Sequence, residues 1–325
     1  MDTNHKKVVF HPFVKMLGVC LRHDCGVGSG AHVLVGVSGG ADSVGLLRGL
    51  AVVGGGRKWG LRLSVGHVQH HLRAEAEGDA DFVCGLAGEL GLDYVRRDVD
   101  VLGAGGNMEE AGRELRYEAL GEMAGEVGAG FVAVGHHGDD QVETLLMRML
   151  RGSGLRGMGG MAYVRGLSGD GGVKLIRPLL GHDGGGVREF LTFLGQDWRE
   201  DVTNGDLGRT RARLRHDVLP VLRDLKGDMS GRVNDLAGYL RDVDGLVVEL
   251  GADLLARARV GDVLSRAVLA GGHEVVLFEA MRLWLVGRGV SFTGADLRRL
   301  VKGIGDGRGG ERMFGAVGIR GVWVE

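Results

Sequence analysis

The first 150 residues repeat one pattern: a short apolar run, a turn, then a segment with helical spacing. The runs are His32–Val37, Leu61–Val68, Tyr94–Val99 and Phe131–Val134. Runs this short, rich in valine and nearly continuous, predict strands buried on both faces, as in a parallel sheet. Helices are predicted from about Ser43 and over 76–91, 108–127 and 139–151. In the last of these, Val142, Leu145, Leu146, Met149 and Leu150 fall on one helical face. Parallel strands need crossovers, so the helices must pass over the sheet. The pattern predicts an α/β domain, a mostly parallel sheet with helices on both faces.

Residues 151–174 are glycine-rich and weakly periodic, and are expected to form a mobile loop. Leu175–Leu179 is expected to add an edge element, and 183–195 a helix. Beyond Pro220 the character changes: 228–258, 273–287 and 293–302 read as helices, and the last fifteen residues as short strands. Two domains are expected, an α/β domain over 1–220 and a smaller, mainly helical one over 221–325. No signal peptide and no apolar run near membrane-spanning length is visible, so a cytoplasmic protein with no membrane partner is expected. Cys20, Cys25 and Cys84 form neither a C-x-x-C pair nor a zinc pattern. The net charge of −2 offers no global attraction for nucleic acid.

The first strand runs into Ser38-Gly39-Gly40-Ala41-Asp42-Ser43. With 63 glycines in the chain, a bare Gly-Gly pair would carry no information. The whole string between a strand and a helix does. Glycines let backbone approach a phosphate, and free N–H groups at a helix start point at negative charge. Asp42 makes sense beside phosphates if a metal ion bridges them. An ordinary capped turn explains one serine or one aspartate, but not the set. The string is neither the G-x-x-x-x-G-K-S/T loop nor the G-x-G-x-x-G fingerprint.

Two more clusters end strands. His67-Val68-Gln69-His70-His71-Leu72-Arg73 closes the second, and Gly135-His136-His137-Gly138-Asp139-Asp140-Gln141-Val142-Glu143-Thr144 follows the fourth. Ligands of open α/β sheets bind beyond the carboxyl ends of strands, so the three clusters are expected to be neighbours. Asp139, Asp140 and Glu143 can share one helical face. Acids suit a helix start in any case, yet capping alone does not call for two histidines and three acids. Arg73 is a candidate phosphate or base contact, and Arg113 and Arg116 are helical neighbours. Arg209, Arg211, Arg213 and Arg215 place four guanidiniums in seven residues, candidate phosphate contacts whose affinity would fall with salt.

The Ser38–Ser43 string resembles the S-G-G-x-D-S loop of the ATP pyrophosphatases, the PP-loop superfamily. Together the clusters resemble the tRNA(Ile)-lysidine synthetase family, which carries H-V-N/D-H-x-L-R and G-H-H-x-D-D-Q-x-E-T. The likeness extends through Asn107–Tyr117, Arg151–Met158, Arg177–Leu180, Trp198–Asp201 with Thr203-Asn204, and Arg211–His216 with Leu219-Pro220, in order across residues 30–220. Gln69 and Ala212 depart from the family's usual residues. At 325 residues the chain is also shorter than family members with a further C-terminal domain.

The resemblance implies ATP bound by Ser38, Gly39, Gly40, Ala41, Asp42, Ser43 and His67, with Mg2+ at Asp42 and at Asp139 or Asp140. It implies that Arg73, Arg113 or Arg116 steadies phosphates or base. Asp139, Asp140 and Glu143 would receive a lysine ammonium, and His136 or His137 its proton. The implied partners are tRNA(Ile) with a CAU anticodon, contacted by Arg209, Arg211, Arg213 and Arg215, and free L-lysine, with a homodimer as one assembly. Cytidine 34 would be adenylated at its C2 oxygen and then attacked by lysine to give lysidine. The rivals are another PP-loop adenylating enzyme (a tRNA thiolase or amide synthetase), a binuclear metal hydrolase on the same histidines and aspartates, and a non-catalytic RNA-binding module.

Overall fold

The computed structural model describes residues 7–56, 58–69, 76–100, 108–167, 172–200, 210–261, 263–306, 310–314 and 317–321. Helix α1 (Pro12–His23) leads into β1 (His32–Gly36), α2 (Ala41–Gly54), β2 (Arg62–Gln69), α3 (Ala76–Glu89), β3 (Asp93–Asp98), α4 (Met108–Val127), β4 (Phe131–Ala133) and α5 (Gly138–Leu150). The short helix α6 (Leu155–Met158), β5 (Val164–Gly166), β6 (Lys174–Ile176) and α7 (Gly184–Leu194) follow. Next come α8 (Thr210–Arg213), a π-helical turn (Leu214–Val218), α9 (Leu219–Leu225) and α10 (Met229–Ala258).

One six-stranded sheet, in the order β3-β2-β1-β4-β6-β5, organises this part of the chain. All its pairs are parallel except β5 with β6. Because side chains alternate along a strand, β1 feeds two cores. Val33 and Val35 pack with Leu17 of α1, Leu47 of α2 and Phe190 of α7. Leu34 packs with Leu120 and Met123 of α4 and with Val132 and Leu175. Helices therefore cover both faces, as the strand–helix alternation predicts.

The segment 151–174 differs from the expected loop, since it holds α6 and β5. Leu175 and Ile176 are not at an edge either: β6 lies between β4 and β5, and both side chains are fully buried. The edge on this side is β5, three residues long and largely exposed, so it shows no alternation that sequence could reveal, and the other edge is β3. Strand β5 is held by antiparallel backbone pairing with β6.

The chain divides into two units, Met1–Gly238 and Tyr239–Glu325. The second begins within α10 and contains a hairpin β7 (Arg259–Val260)–β8 (Val263–Leu264), α11 (Arg266–Ala270), α12 (Glu274–Gly287), α13 (Gly294–Gly305) and a hairpin β9 (Gly310–Phe314)–β10 (Val317–Gly321). Its core includes Leu254, Leu269, Leu277, Met281, Leu297 and Val301. No helix among the described residues is long and apolar enough to cross a membrane.

Candidate nucleotide-binding and catalytic site

The chain runs outward from β1 through β2 to β3, then returns to the other side of β1 as β4. Where strand order reverses, the loops leaving neighbouring strands part and open a crevice. The loops after β1 and β4 are Ser38–Gly40 and Val134–His137, two of the three sequence clusters.

Gly39 takes φ +95°, which only glycine adopts without strain. The Ser43 hydroxyl donates to the Gly40 carbonyl (2.9 Å), and Ser43 Oγ accepts the Ser38 N–H (3.2 Å) and lies 3.2 Å from Ser38 Oγ. The hydroxyls thus hold the turn closed from within. Gly40 caps the 14-residue α2 without any side-chain bond, leaving first-turn N–H groups for a ligand. His67, 2% exposed, sits beneath: its Nδ1 bonds the Val37 carbonyl at 2.8 Å, and Nε2 has no partner among the described residues. Burial holds its pKa below the usual value, so it is neutral. Arg199 presses on the loop from the other side, its N–H donating to the Gly39 carbonyl (2.9 Å) and its guanidinium lying over the Phe82 ring.

The second cluster opens α5 with a capping box. His137 Nδ1 accepts the Asp139 N–H (3.2 Å), and the His137 N–H donates to Asp140 Oδ2 (3.0 Å). This cap uses the neutral ring, with Nε2 facing Asp42 Oδ2 at 3.4 Å. Burial works against a charge on His137, but Asp140, Asp42 and Asp139 outweigh it and raise its pKa to about 9. Protonation would exchange the cap bond for an Nδ1–H facing Asp139 Oδ2, 3.6 Å away. His136 goes the other way. Burial outweighs Asp140 and lowers its pKa to about 4, and its Nδ1 has no partner among the described residues.

The three acids of α5 are engaged. Asp139 Oδ1 accepts from Ser230 Oγ (2.9 Å), and Oδ2 accepts from the Gly184 N–H (2.8 Å) and from Arg223 (2.6 Å). Burial alone would raise its pKa, but these donors hold it below the usual range. Asp140 Oδ1 receives Arg211 (3.1 Å) and Arg215 (3.0 Å), and Glu143, fully buried, takes Nε of Arg211 (2.7 Å) and of Arg215 (2.6 Å). The exposed carboxylate of the set is Asp42, at 40%.

Two sequence expectations meet a different geometry here. Asp139 was paired with Asp42 around a metal, yet both its oxygens already hold protein donors. Arg211 and Arg215 were grouped with Arg209 and Arg213 as RNA contacts, yet both guanidiniums are directed inward onto Asp140 and Glu143. Arg213 is 70% exposed beside Asp217 at 3.6 Å. Arg113 lies exposed on α4. Arg73 and Arg209 lie outside the described residues, as do His70 and His71. Sequence reasoning missed Arg223 and Ser230, which lie beyond Pro220 but within the first unit. Neither carries a local signal, because their partner Asp139 is over 80 residues away in sequence. Arg199 did have one, the Trp198–Asp201 motif.

A phosphate-ready turn, a helix start aimed into the crevice and a bordering carboxylate define an anion-binding α/β domain. The chain belongs to the PP-loop domain family, whose model matches residues 21–222. Membership implies ATP binding in the first unit. The chain is 44% identical over 195 residues to a tRNA(Ile)-lysidine synthase of Solibacter usitatus, covering 60% of this chain and 41% of that protein. It is 36% identical over 294 residues to that of Deinococcus deserti, covering 83% and 52%. It thus spans about half the length, or less, of these curated relatives. Its fold is similar to that of the U34-tRNA thiolase NcsA from Methanococcus maripaludis, solved with its 4Fe-4S cluster: TM-score 0.59, 18% identity, 70% of this chain and 78% of that one. At that identity the likeness is one of fold alone.

Proposed function

We propose that this chain is an ATP-dependent ligase that attaches lysine to cytidine 34 of tRNA(Ile) bearing a CAU anticodon. The observation that carries the reading is the convergence of Ser38–Ser43 and His136–Glu143 at the switch point, with Asp42 and His137 in contact. The relatives named tRNA(Ile)-lysidine synthase support the same reading. The C2 oxygen of the base would attack the α phosphate, forming a C2–O–P bond and releasing pyrophosphate. The ε-amino group of lysine would then bond to C2, breaking C2–O, and AMP would leave. Backbone N–H groups of the Gly39–Ser43 turn and the α2 start would stabilise charge on the phosphates. The attacking amine must be neutral, so a proton acceptor is needed. His136, held neutral by burial, fits that role better than His137, whose carboxylate neighbours favour the proton.

Magnesium would neutralise the phosphates. Among the acids, Asp42 fits a hard cation, because its carboxylate is partly exposed at the turn. Asp139 could serve only by giving up Ser230, Gly184 or Arg223. The lysine ammonium would likewise have to share Asp140 and Glu143 with Arg211 and Arg215. Arg213 and the second unit are proposed to meet the RNA, in the cytoplasm, and a homodimer is the assembly to test by sedimentation.

The rivals fare less well. Cys20 is buried on α1, Cys25 is buried just after it and Cys84 lies exposed on α3, so they do not form a thiolase's cluster site. Of the side chains a binuclear hydrolase would use, His70 and His71 lie outside the described residues, and both oxygens of Asp139 already hold protein donors. The test is one incubation with ATP, magnesium, labelled lysine and a CAU tRNA(Ile) transcript. Label incorporation that vanishes when cytidine 34 is replaced supports the reading. ATP–pyrophosphate exchange with no lysine incorporation moves the assignment to another adenylating enzyme, and no exchange at all leaves an RNA-binding module.

A further inference from the structure

Gln141 stands beside the acids of α5 but faces away from any ligand role. It is fully buried. Its Oε1 accepts the Met161 N–H at 2.7 Å, and its Nε2 donates to the carbonyl of the same residue at 2.9 Å. One carboxamide thus pairs with both backbone groups of one residue. The remaining Nε2 hydrogen faces Asn234 Oδ1 at 3.4 Å, and Asn234 Nδ2 donates to the Tyr163 hydroxyl at 2.6 Å. The fit is close: a Cβ on Gly160 would meet Gln141 Oε1 at 2.7 Å and Cδ at 2.9 Å. On the same helix, Arg148 donates to the Gly157 carbonyl. Residues 141 and 148 are two turns apart and share a face. The helix that carries Asp139 and Asp140 therefore grips the 157–161 segment at two points.

We propose that Gln141 is a positioning residue: its carboxamide fixes the arginine-bearing segment 151–161 in register with the carboxylate start of α5. The functional part of the proposal rests on the adenylating reading above. The pairing needs a donor and an acceptor on one side chain. Glutamine supplies both. A leucine of similar volume supplies neither.

Gln141→Leu keeps a similar volume and removes both partners of the Met161 backbone. The Met161 amide is then expected to exchange with solvent about tenfold faster than in the wild type, the cost of a broken buried pair. Trypsin cleavage at the exposed Arg151 and Arg156 should accelerate alongside it. Lysine transfer should fall in kcat, with KM for ATP unchanged. Wild-type protection of Met161 in Gln141→Leu, or a fall in kcat with protection and cleavage unchanged, overturns the proposal. If the wild type transfers no lysine, the ligase reading fails, while exchange and cleavage still decide the clamp. If Gln141→Leu does not fold, Gln141→Asn substitutes. It holds the carboxamide one methylene short of Met161, so the same protection should fall, and unchanged protection overturns the proposal.

Discussion

A methyl group at residue 135 would have nowhere to go. A Cβ there would lie 2.9 Å from the Asp42 carbonyl carbon and 3.0 Å from the Ser43 nitrogen, both backbone atoms that cannot rotate aside. Gly135 therefore lets the exit of β4 press against the start of α2, which brings His137 to Asp42. Gly135→Ala is expected to cost about 1–3 kcal/mol by overpacking and to weaken ATP binding, read by thermal denaturation and nucleotide titration. Gly85, exposed on α3 with nothing within 4 Å of its added Cβ, should respond with the opposite sign. Gly85→Ala should stabilise by up to about 1 kcal/mol. Asp42 and Asp139 separate in a similar way. Asp42→Asn is expected to reduce pyrophosphate release about 100-fold or more with little change in melting temperature. Asp139→Asn should lower the melting temperature, because Arg223 loses its buried partner. Two histidines add a pH dependence. His136 and His182 both have pKa values lowered to about 4 from 6.5, chiefly by burial. Between those values the unfolded chain holds protons that the folded one excludes. The share of stability that these two carry is present above about pH 6.5 and falls as pH drops toward about 4, with protons taken up on unfolding, and His67 and His32, also lowered by burial, act in the same direction. Urea titrations across that window, with His182→Gln reducing the uptake by about one proton, check it.

At the scale of elements, the carboxylate face of α5 is an anchor for the segment holding α8 and the π-helical turn. Glu143 has no exposure, and two arginine Nε groups supply its counter-charge. Removing both leaves a buried carboxylate unpaired. The double variant Arg211→Ala with Arg215→Ala is expected to lose about 3 kcal/mol, the low end for a buried pair because the guanidiniums are 38% exposed. Arg213→Ala, on the exposed side, should stay within about 0.5 kcal/mol. Urea midpoints of the two variants distinguish an anchor from a solvated charge run. This contrast also shows what sequence can reveal. The strands β1, β2 and β4 and helix α5 were legible because burial on two faces, or on one stripe, writes itself into local spacing, whereas β3 is a half-buried edge strand despite its apolar run. The turn Ser38–Ser43 was legible because phosphate chemistry needs those residue types consecutively. The four arginines were legible as charge but not as direction, since Asp140 and Glu143 lie about 70 residues upstream. The short edge β5 was silent because three residues, of which Val164 alone packs on the core, leave no periodicity to read.

At the scale of the whole molecule, charge constrains how RNA could bind. A net charge of −2 gives no long-range attraction, so affinity has to come from a local basic surface. Each phosphate neutralised by such a surface releases counterions, so the logarithm of affinity falls with the logarithm of salt at a slope set by the number of contacts. Arg211 and Arg215 cannot be counted in that number while they hold Glu143. Arg213, 70% exposed, can be. Arg213→Ala should then weaken tRNA binding modestly and reduce the salt slope by about one. Arg211→Ala should leave the slope unchanged, and any loss of binding should track the loss of folded protein. Affinities measured across about 50–200 mM salt give both slopes. A reduced slope in Arg211→Ala would mean that this guanidinium leaves its carboxylates for a phosphate when RNA arrives. The anchor on α5 would then have to open for the reaction to begin.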